Sequence, residues 1–149
     1  MVKTKLKPIL PSLREKKRYL VFEVISNERI NDANAVLDYC SGGGATTQTF
    51  NVTGNLEMSA GSFYMGSQDR PYVFNLSGDF LMNGGTLTET GVASYTSNFN
   101  FVKTGTQVFN KTGGTISGLI NFTVAGTSNL DMSTSVLTGD GNFTLNSGG

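Results

Sequence analysis

From residue 50 onward the chain repeats a phenylalanine followed by one polar and one apolar residue. Five such triplets begin at Phe50, Phe74, Phe99, Phe122 and Phe143, and the successive phenylalanines are 24, 25, 23 and 21 residues apart. Two further segments each recur in three of the periods: an apolar pair at residues 56–58, 80–82 and 130–132, and a small-Gly-hydroxyl-apolar run at 60–63, 84–87 and 113–116. Alternation with period two is typical of strands that bury one face, so each repeat is predicted to hold three short strands.

The repeat predicts the fold. A strand of three to five residues cannot bury its face alone, whereas coils stacked about 4.8 Å apart share one continuous core. We predict an all-β, right-handed parallel β-solenoid of about four to five coils over residues 41–149, with the five phenylalanines in one core column. The alternative is an antiparallel sandwich, favoured by the hairpin-type dipeptides at residues 83–84 and 140–141, although a sandwich requires no recurring period near 24 residues.

Residues 1–40 have a different character and are predicted to form a separate basic segment. After an extended arm, residues 19–25 predict a buried strand. Asn31 or Asp32 could cap a short helix, predicted over residues 32–39 and ended by the glycines that follow. Because the open end of a solenoid exposes unpaired backbone, this strand and helix could cap the first coil.

Composition excludes several kinds of site. The chain has no His and one Cys, Cys40, so no Ser-His or Cys-His pair, no histidine zinc site and no intrachain disulfide can form. We predict no catalytic residue, no metal and no cofactor. No signal peptide and no apolar run of membrane-spanning length are recognisable, which predicts a cytoplasmic location without a membrane span.

A few polar residues within the repeat are candidates for chemistry. Glu57 and Asp131 are predicted at matching coil positions on one outer face, as solvated acids or, less favoured, as an acid/base pair or calcium site. Residues 139–142 form a single copy of a glycine-aspartate calcium pattern. Asn51 and Asn75 are predicted to stack into a side-chain hydrogen-bond ladder. Three residues could form an aromatic platform for sugars or be scattered surface side chains: Tyr64, Tyr72 and Tyr95.

The repeat region resembles the Gly/Thr/Asn-rich repeats of bacterial secreted surface proteins and adhesins, over roughly residues 42–149. The resemblance implies a secreted or surface-exposed protein that serves as a passive stalk or adhesive scaffold. Our first functional expectation is therefore a non-enzymatic structural or adhesive module, for which the sequence names no ligand and a glycan on the solenoid is one candidate. A polysaccharide-active enzyme ranks third, because the repeat lacks clustered acidic and basic side chains on one coil face.

Residues 10–26, LPSLREKKRYLVFEVIS, resemble the N-terminus of the archaeal ribonuclease P small protein subunit, and the resemblance covers about residues 5–39. It implies RNA or protein-partner contacts for four residues: Arg14, Lys16, Lys17 and Arg18. The second functional expectation is thus an RNA-associated, non-catalytic subunit of the ribonucleoprotein that removes tRNA 5′ leaders. The chain would then be a chimeric fusion of two parts.

Independently of that resemblance, the basic segment carries a large excess of positive charge. Residues 1–18 carry seven basic side chains against one Glu, and residues 1–40 carry eight basic and five acidic side chains. Residues 41–149 carry three basic and six acidic ones. Such basic arms bind phosphates in a salt-dependent way, or remain solvated tails that bind nothing at physiological salt.

Overall fold

The computed structural model describes residues 21–24, 28–30, 36–38, 47–66, 71–89 and 97–146. These residues form strands and turns, and no helix occurs among them. The strands are β1 (Val21–Val24), β2 (Glu28–Ile30), β3 (Val36–Asp38), β4 (Gln48–Val52), β5 (Leu56–Met58), β6 (Ser62–Tyr64), β7 (Tyr72–Leu76), β8 (Phe80–Met82), β9 (Thr86–Thr88), β10 (Ser97–Phe101), β11 (Gly105–Lys111), β12 (Thr115–Ser117), β13 (Ile120–Val124), β14 (Ser128–Asp131) and β15 (Phe143–Leu145).

The strands form three parallel sheets. The first sheet has the order β1-β4-β7-β10-β13-β15, the second β14-β11-β8-β5-β2 and the third β12-β9-β6-β3. From β1 to β14 successive strands along the chain fall on successive sheets, and β15 then returns to the first sheet, so the chain winds into a solenoid of about four turns. The predicted parallel β-solenoid is confirmed. The antiparallel sandwich is wrong for the described strands, because all their registered pairings are parallel.

The core lies between the three sheets and follows from strand alternation. Inward residues of β4, β7, β10 and β13 are buried and their neighbours are half-buried. The register pairs Phe50 with Phe74, Phe74 with Phe99, Phe99 with Phe122 and Phe122 with Phe143, the column that the spacing predicts. Ring centroids along this column are 4.9 Å apart for Phe74–Phe99 and 5.5 Å for Phe99–Phe122.

The last member of the column departs from the prediction. Phe143 is 46% exposed, whereas Phe50, Phe74, Phe99 and Phe122 are buried. It lies on β15, the terminal strand of the first sheet, so among the described strands it has a neighbour on one side alone. Phe143 therefore belongs to the column by register but not to the buried core.

The N-terminal segment contributes a coil. β1 falls within the predicted strand at residues 19–25 and pairs with β4, and β2 pairs with β5. The predicted helix over residues 32–39 is wrong at its C-terminal end, because Val36–Asp38 is the strand β3, paired with β6. Pairing with a neighbouring strand overrides the weak local helix propensity of this segment. Each sheet thus joins a strand from before residue 40 to strands after it.

The corner between the first two sheets lengthens along the solenoid. Leu76 and Phe80 are four residues apart, but their register partners Phe101 and Phe109 are eight apart. The additional residues extend β11, whose C-terminal part pairs with β8 and whose N-terminal part pairs with β14. The coils that contain β11 and β14 therefore have a longer corner than the preceding coils. The register of the second sheet changes at β11.

Candidate ligand-binding groove on the second sheet

An open groove of about 410 Å³ runs across three coils at the C-terminal ends of β5, β8 and β11. It is lined by Glu57, Met58, Ser59, Leu81, Met82, Asn83, Asn110 and Thr112. The register places Glu57, Leu81 and Asn110 in one outward column. Ser59, Asn83 and Thr112 follow the last residues of the three strands and form a second column beside it.

Strand alternation and turn chemistry explain why these side chains face outward. Met58 and Met82 are 1% exposed and form the floor, so the residues on either side of each point away from the core. Backbone hydrogen bonds stack the turns: the Asn83 amide donates to the Met58 carbonyl (2.9 Å), and the Thr112 amide donates to the Met82 carbonyl (2.8 Å). The rim of the groove is therefore held by the same backbone pairing that forms the solenoid.

The lining combines complementary hydrogen-bonding groups around an apolar patch. Glu57 supplies a carboxylate, Asn83 and Asn110 supply amides that both donate and accept, and Ser59 supplies a hydroxyl. Leu81 adds apolar surface between them in the same column. A few convergent polar groups around an apolar surface are typical of small-molecule and carbohydrate sites.

The outer face of the first sheet carries an asparagine ladder. The side-chain amide of Asn75 donates to the side-chain oxygen of Asn51, and that of Asn100 donates to Asn75, each at 2.8 Å. The predicted Asn51–Asn75 ladder is confirmed, and Asn100 extends it. Because these amides satisfy one another, the ladder stabilises the stacking of the coils.

The prediction that Glu57 and Asp131 occupy matching coil positions is wrong, although Asp131 is an exposed acid on the same sheet. Asp131 is the register partner of Val108, while the column of Glu57 continues through Leu81 to Asn110. The lengthened corner before β11 causes the shift, because β14 pairs with the N-terminal part of β11 and β8 with its C-terminal part. Asp131 instead accepts a hydrogen bond from the Ser133 amide at 2.9 Å.

The other candidates are not brought together. Tyr72 is 2% exposed and belongs to the core, so it cannot take part in an aromatic platform, and Tyr64 is half-buried on the outer face of β6. Asp140 is exposed, and its amide donates to the Gly118 carbonyl. Within the described part of the chain, no three His, Cys, Asp or Glu side chains lie close enough to hold a metal. The remaining candidates lie outside the described residues: Arg14, Lys16, Lys17, Arg18, Cys40 and Tyr95.

The lengthened corner contains an ion pair that the sequence did not predict. The Lys103 ammonium lies 2.8 Å from Asp79 Oδ1, which also accepts a hydrogen bond from the Val108 amide at 3.0 Å. Burial by itself would raise the pKa of Asp79, but the Lys103 and Val108 hydrogen bonds and the charge of Lys103 together leave the pKa below its ordinary value. A 24-residue separation gives no local signal for such a pair.

A buried glutamine completes this corner. Gln107 is fully buried, and its amide donates to the carbonyls of Leu76 and Gly78. Its side-chain oxygen accepts hydrogen bonds from the Lys103 amide at 3.2 Å and from the Ser128 hydroxyl at 3.1 Å. The Gln107 side chain thus joins the short corner after β7 to the longer corner before β11, and both its amide nitrogen and its oxygen are hydrogen-bonded.

No family model, curated protein or solved structure gives a significant match to this chain. Among the residues that the structure describes, no helix has the length and hydrophobicity required to cross a bilayer. The resemblances to adhesin repeats and to the ribonuclease P subunit stay predictions.

Proposed function

We propose that the chain is a non-enzymatic adhesive β-solenoid module that binds carbohydrate along the groove of the second sheet. One observation supports this proposal above the others: exposed polar side chains repeat coil after coil over a core closed by Met58 and Met82. A rigid core fixes the spacing of these side chains at the distance between neighbouring strands, about 4.8 Å.

A polysaccharide suits such a surface because it also repeats. Each sugar ring presents hydroxyls at its edge, which the amides of Asn83 and Asn110 and the carboxylate of Glu57 can bind. The C–H face of a ring can pack on Leu81. Since the groove crosses three coils, a long chain can lie along it and contact several of them at once.

The test is affinity electrophoresis of the full chain in gels that contain a panel of neutral and acidic polysaccharides. A double variant, Asn83→Ala with Asn110→Ala, is compared with Thr123→Ala, which changes an outward side chain on the first sheet. We expect the double variant to bind the retarding polysaccharide at least about tenfold more weakly, which corresponds to about 1.4 kcal/mol, and the control to bind as the parent does. Equal retardation of all three proteins, or no retardation by any polysaccharide, would contradict the proposal.

A second candidate function is RNA binding through the basic segment. The observation that favours it is the excess of seven basic side chains over one acidic side chain in residues 1–18. The test compares the parent with a variant in which Arg14, Lys16, Lys17 and Arg18 are all replaced by Ser, using a structured precursor tRNA at two salt concentrations. Affinity that persists near physiological salt and is lost in the variant supports an RNA role; identical binding by both proteins opposes it.

A further inference from the structure

The C-terminal end of the solenoid exposes apolar surface. Among the described residues the large hydrophobic side chains that are exposed are Val136 (66%), Phe143 (46%) and Leu145 (69%). Val136 and Phe143 line a groove of about 370 Å³, together with other apolar side chains that include Phe122, Met132 and Leu137. Clustering of exposed apolar side chains at one end of the molecule is typical of an interaction surface.

Among the described strands, none pairs with the outer edge of β15. β15 is the terminal strand of the first sheet. The Asn142 carbonyl and the Asn146 amide bond to β13, at 2.8 and 3.0 Å. In a parallel ladder successive residues turn to opposite neighbours, so the amides and carbonyls of Phe143 and Leu145 face the outer edge.

The opposite end of the same sheet has a matching strand. Among the described strands, β1 is the other terminal strand of the first sheet, and it runs in the same direction as β15. Phe22 on β1 is the register partner of Phe50, and therefore lies at the head of the column that ends in Phe143. Translation of one copy along the solenoid axis brings β1 beside β15 with the parallel orientation that the sheet already uses.

The two ends of the sequence carry opposite charge. Residues 1–20, which lead into β1, contain seven basic side chains and one acidic side chain. Residues 112–146, which include β12 to β15, contain Asp131 and Asp140 and no Lys or Arg. Attraction between these regions favours contact between unlike ends and disfavours contact between two N-terminal ends.

We propose that the β15 end of one copy binds the β1 end of a second copy, head to tail, and continues the first sheet across the junction. The exposed side chains Phe143 and Leu145 pack on the added coil, and their outward amides and carbonyls pair with its strand. Such a contact joins two different surfaces, so it leaves a free end of each kind and produces an open series of dimers, trimers and longer assemblies.

The experiment is sedimentation velocity of the full chain from about 1 to about 100 µM, a range that brackets ordinary weak self-association. Leu145→Pro removes an outward amide while leaving the bonds to β13 in place, and Leu145→Thr keeps that amide but removes apolar surface. We expect the parent to form a concentration-dependent open series, Leu145→Pro to remain monomeric, and Leu145→Thr to lie between them. Added salt should weaken the parent's association.

Three outcomes would overturn the proposal. A parent that stays monomeric over the whole range has no such contact. A closed dimer that does not grow indicates a symmetric interface, and an assembly unaffected by Leu145→Pro uses another surface. Because Leu145 is 69% exposed on a terminal strand, the variants are expected to keep the circular dichroism spectrum of the parent, which is the check on folding.

Discussion

At the scale of single residues, close approach between coils limits what the corners accept. A Cβ placed on Gly78 would overlap the backbone carbonyl of Gly54 in the preceding coil. Gly105 is different: its φ of +82° favours glycine, but no atom lies within 4 Å of a Cβ built there. The two glycines are therefore required for separate reasons, one for space and the other for backbone conformation.

Alanine substitutions at these two glycines should distinguish the steric requirement at Gly78 from the conformational requirement at Gly105. We expect Gly78→Ala to lower the free energy of unfolding by about 3 kcal/mol, because the added methyl group forces two backbones apart. Gly105→Ala should cost only about 1–2 kcal/mol, the penalty of a left-handed conformation without a clash. Urea unfolding of both variants measures the difference, and equal losses would argue against the close packing of the Gly54–Gly78 corner.

The buried side chain of Gln107 is expected to be equally sensitive. Gln107→Met keeps the length of the side chain but leaves the Gly78 carbonyl and the Lys103 amide without their present partner. We expect a loss of about 1–3 kcal/mol in the free energy of unfolding. The control is Thr106→Ala, an exposed neighbour on the same strand, which should change stability by less than about 0.5 kcal/mol. Similar values for the two variants would contradict the role assigned to Gln107.

At the scale of strands, side-chain ladders add to backbone pairing. Asn75 lies in the middle of its ladder and makes two side-chain hydrogen bonds, whereas Asn51 accepts one from Asn75. Asn75→Ala should therefore destabilise the chain by about 1–2 kcal/mol and Asn51→Ala by roughly half as much. Thermal unfolding of the two variants tests this order. A reversed order would mean that the ladder contributes little and that other contacts of these residues dominate.

The ion pair between Asp79, just before β8, and Lys103, before β11, should make stability depend on pH. The pKa of Asp79 is lowered from its ordinary value of 3.8 in the folded chain, so the pair stabilises the fold above that value. This contribution is lost as the pH falls through the folded-state pKa. Because Lys103 is 35% exposed, we expect Lys103→Met to cost only about 0.5–1 kcal/mol at neutral pH.

The matched control for the ion pair is Lys111→Met, which removes the same charge at the C-terminal end of β11. Unfolding curves from pH 7 down to about pH 2, below the ordinary carboxyl range, compare the parent with both variants. The difference between the parent and Lys103→Met should shrink toward low pH, and Lys111→Met should show no comparable convergence. A Lys103→Met deficit that is constant with pH would exclude the Asp79 pair as its cause.

At the scale of the whole molecule, each coil is stabilised by its neighbours, so stability should decline toward an unpaired end. β7 and β10 are paired on both sides and buried, whereas β15 is paired with β13 alone among the described strands and its side chains are exposed. Native-state hydrogen exchange at low protein concentration should therefore show β15 amides exchanging at least about tenfold faster than those of β7 and β10. Uniform protection would indicate a single cooperative unit that includes β15.

The local pattern of residues was enough to predict the architecture. Apolar residues at alternate positions mark the buried face of each strand, and a phenylalanine that returns every 21 to 25 residues indicates a stack of coils. The Asn51–Asn75 ladder follows from the same repeat. These features could be predicted because every coil places equivalent residues one above another.

Only the tertiary structure decided the features that depend on pairing between residues far apart in the sequence. Residues 36–38 have a locally helical composition but form β3 on β6, and the wider corner before β11 moves Asp131 out of the column of Glu57. The Asp79–Lys103 pair and the burial of Gln107 arise at that corner as well. Backbone hydrogen bonds between coils set the register, and their energy exceeds the weak preferences that a short segment carries in isolation.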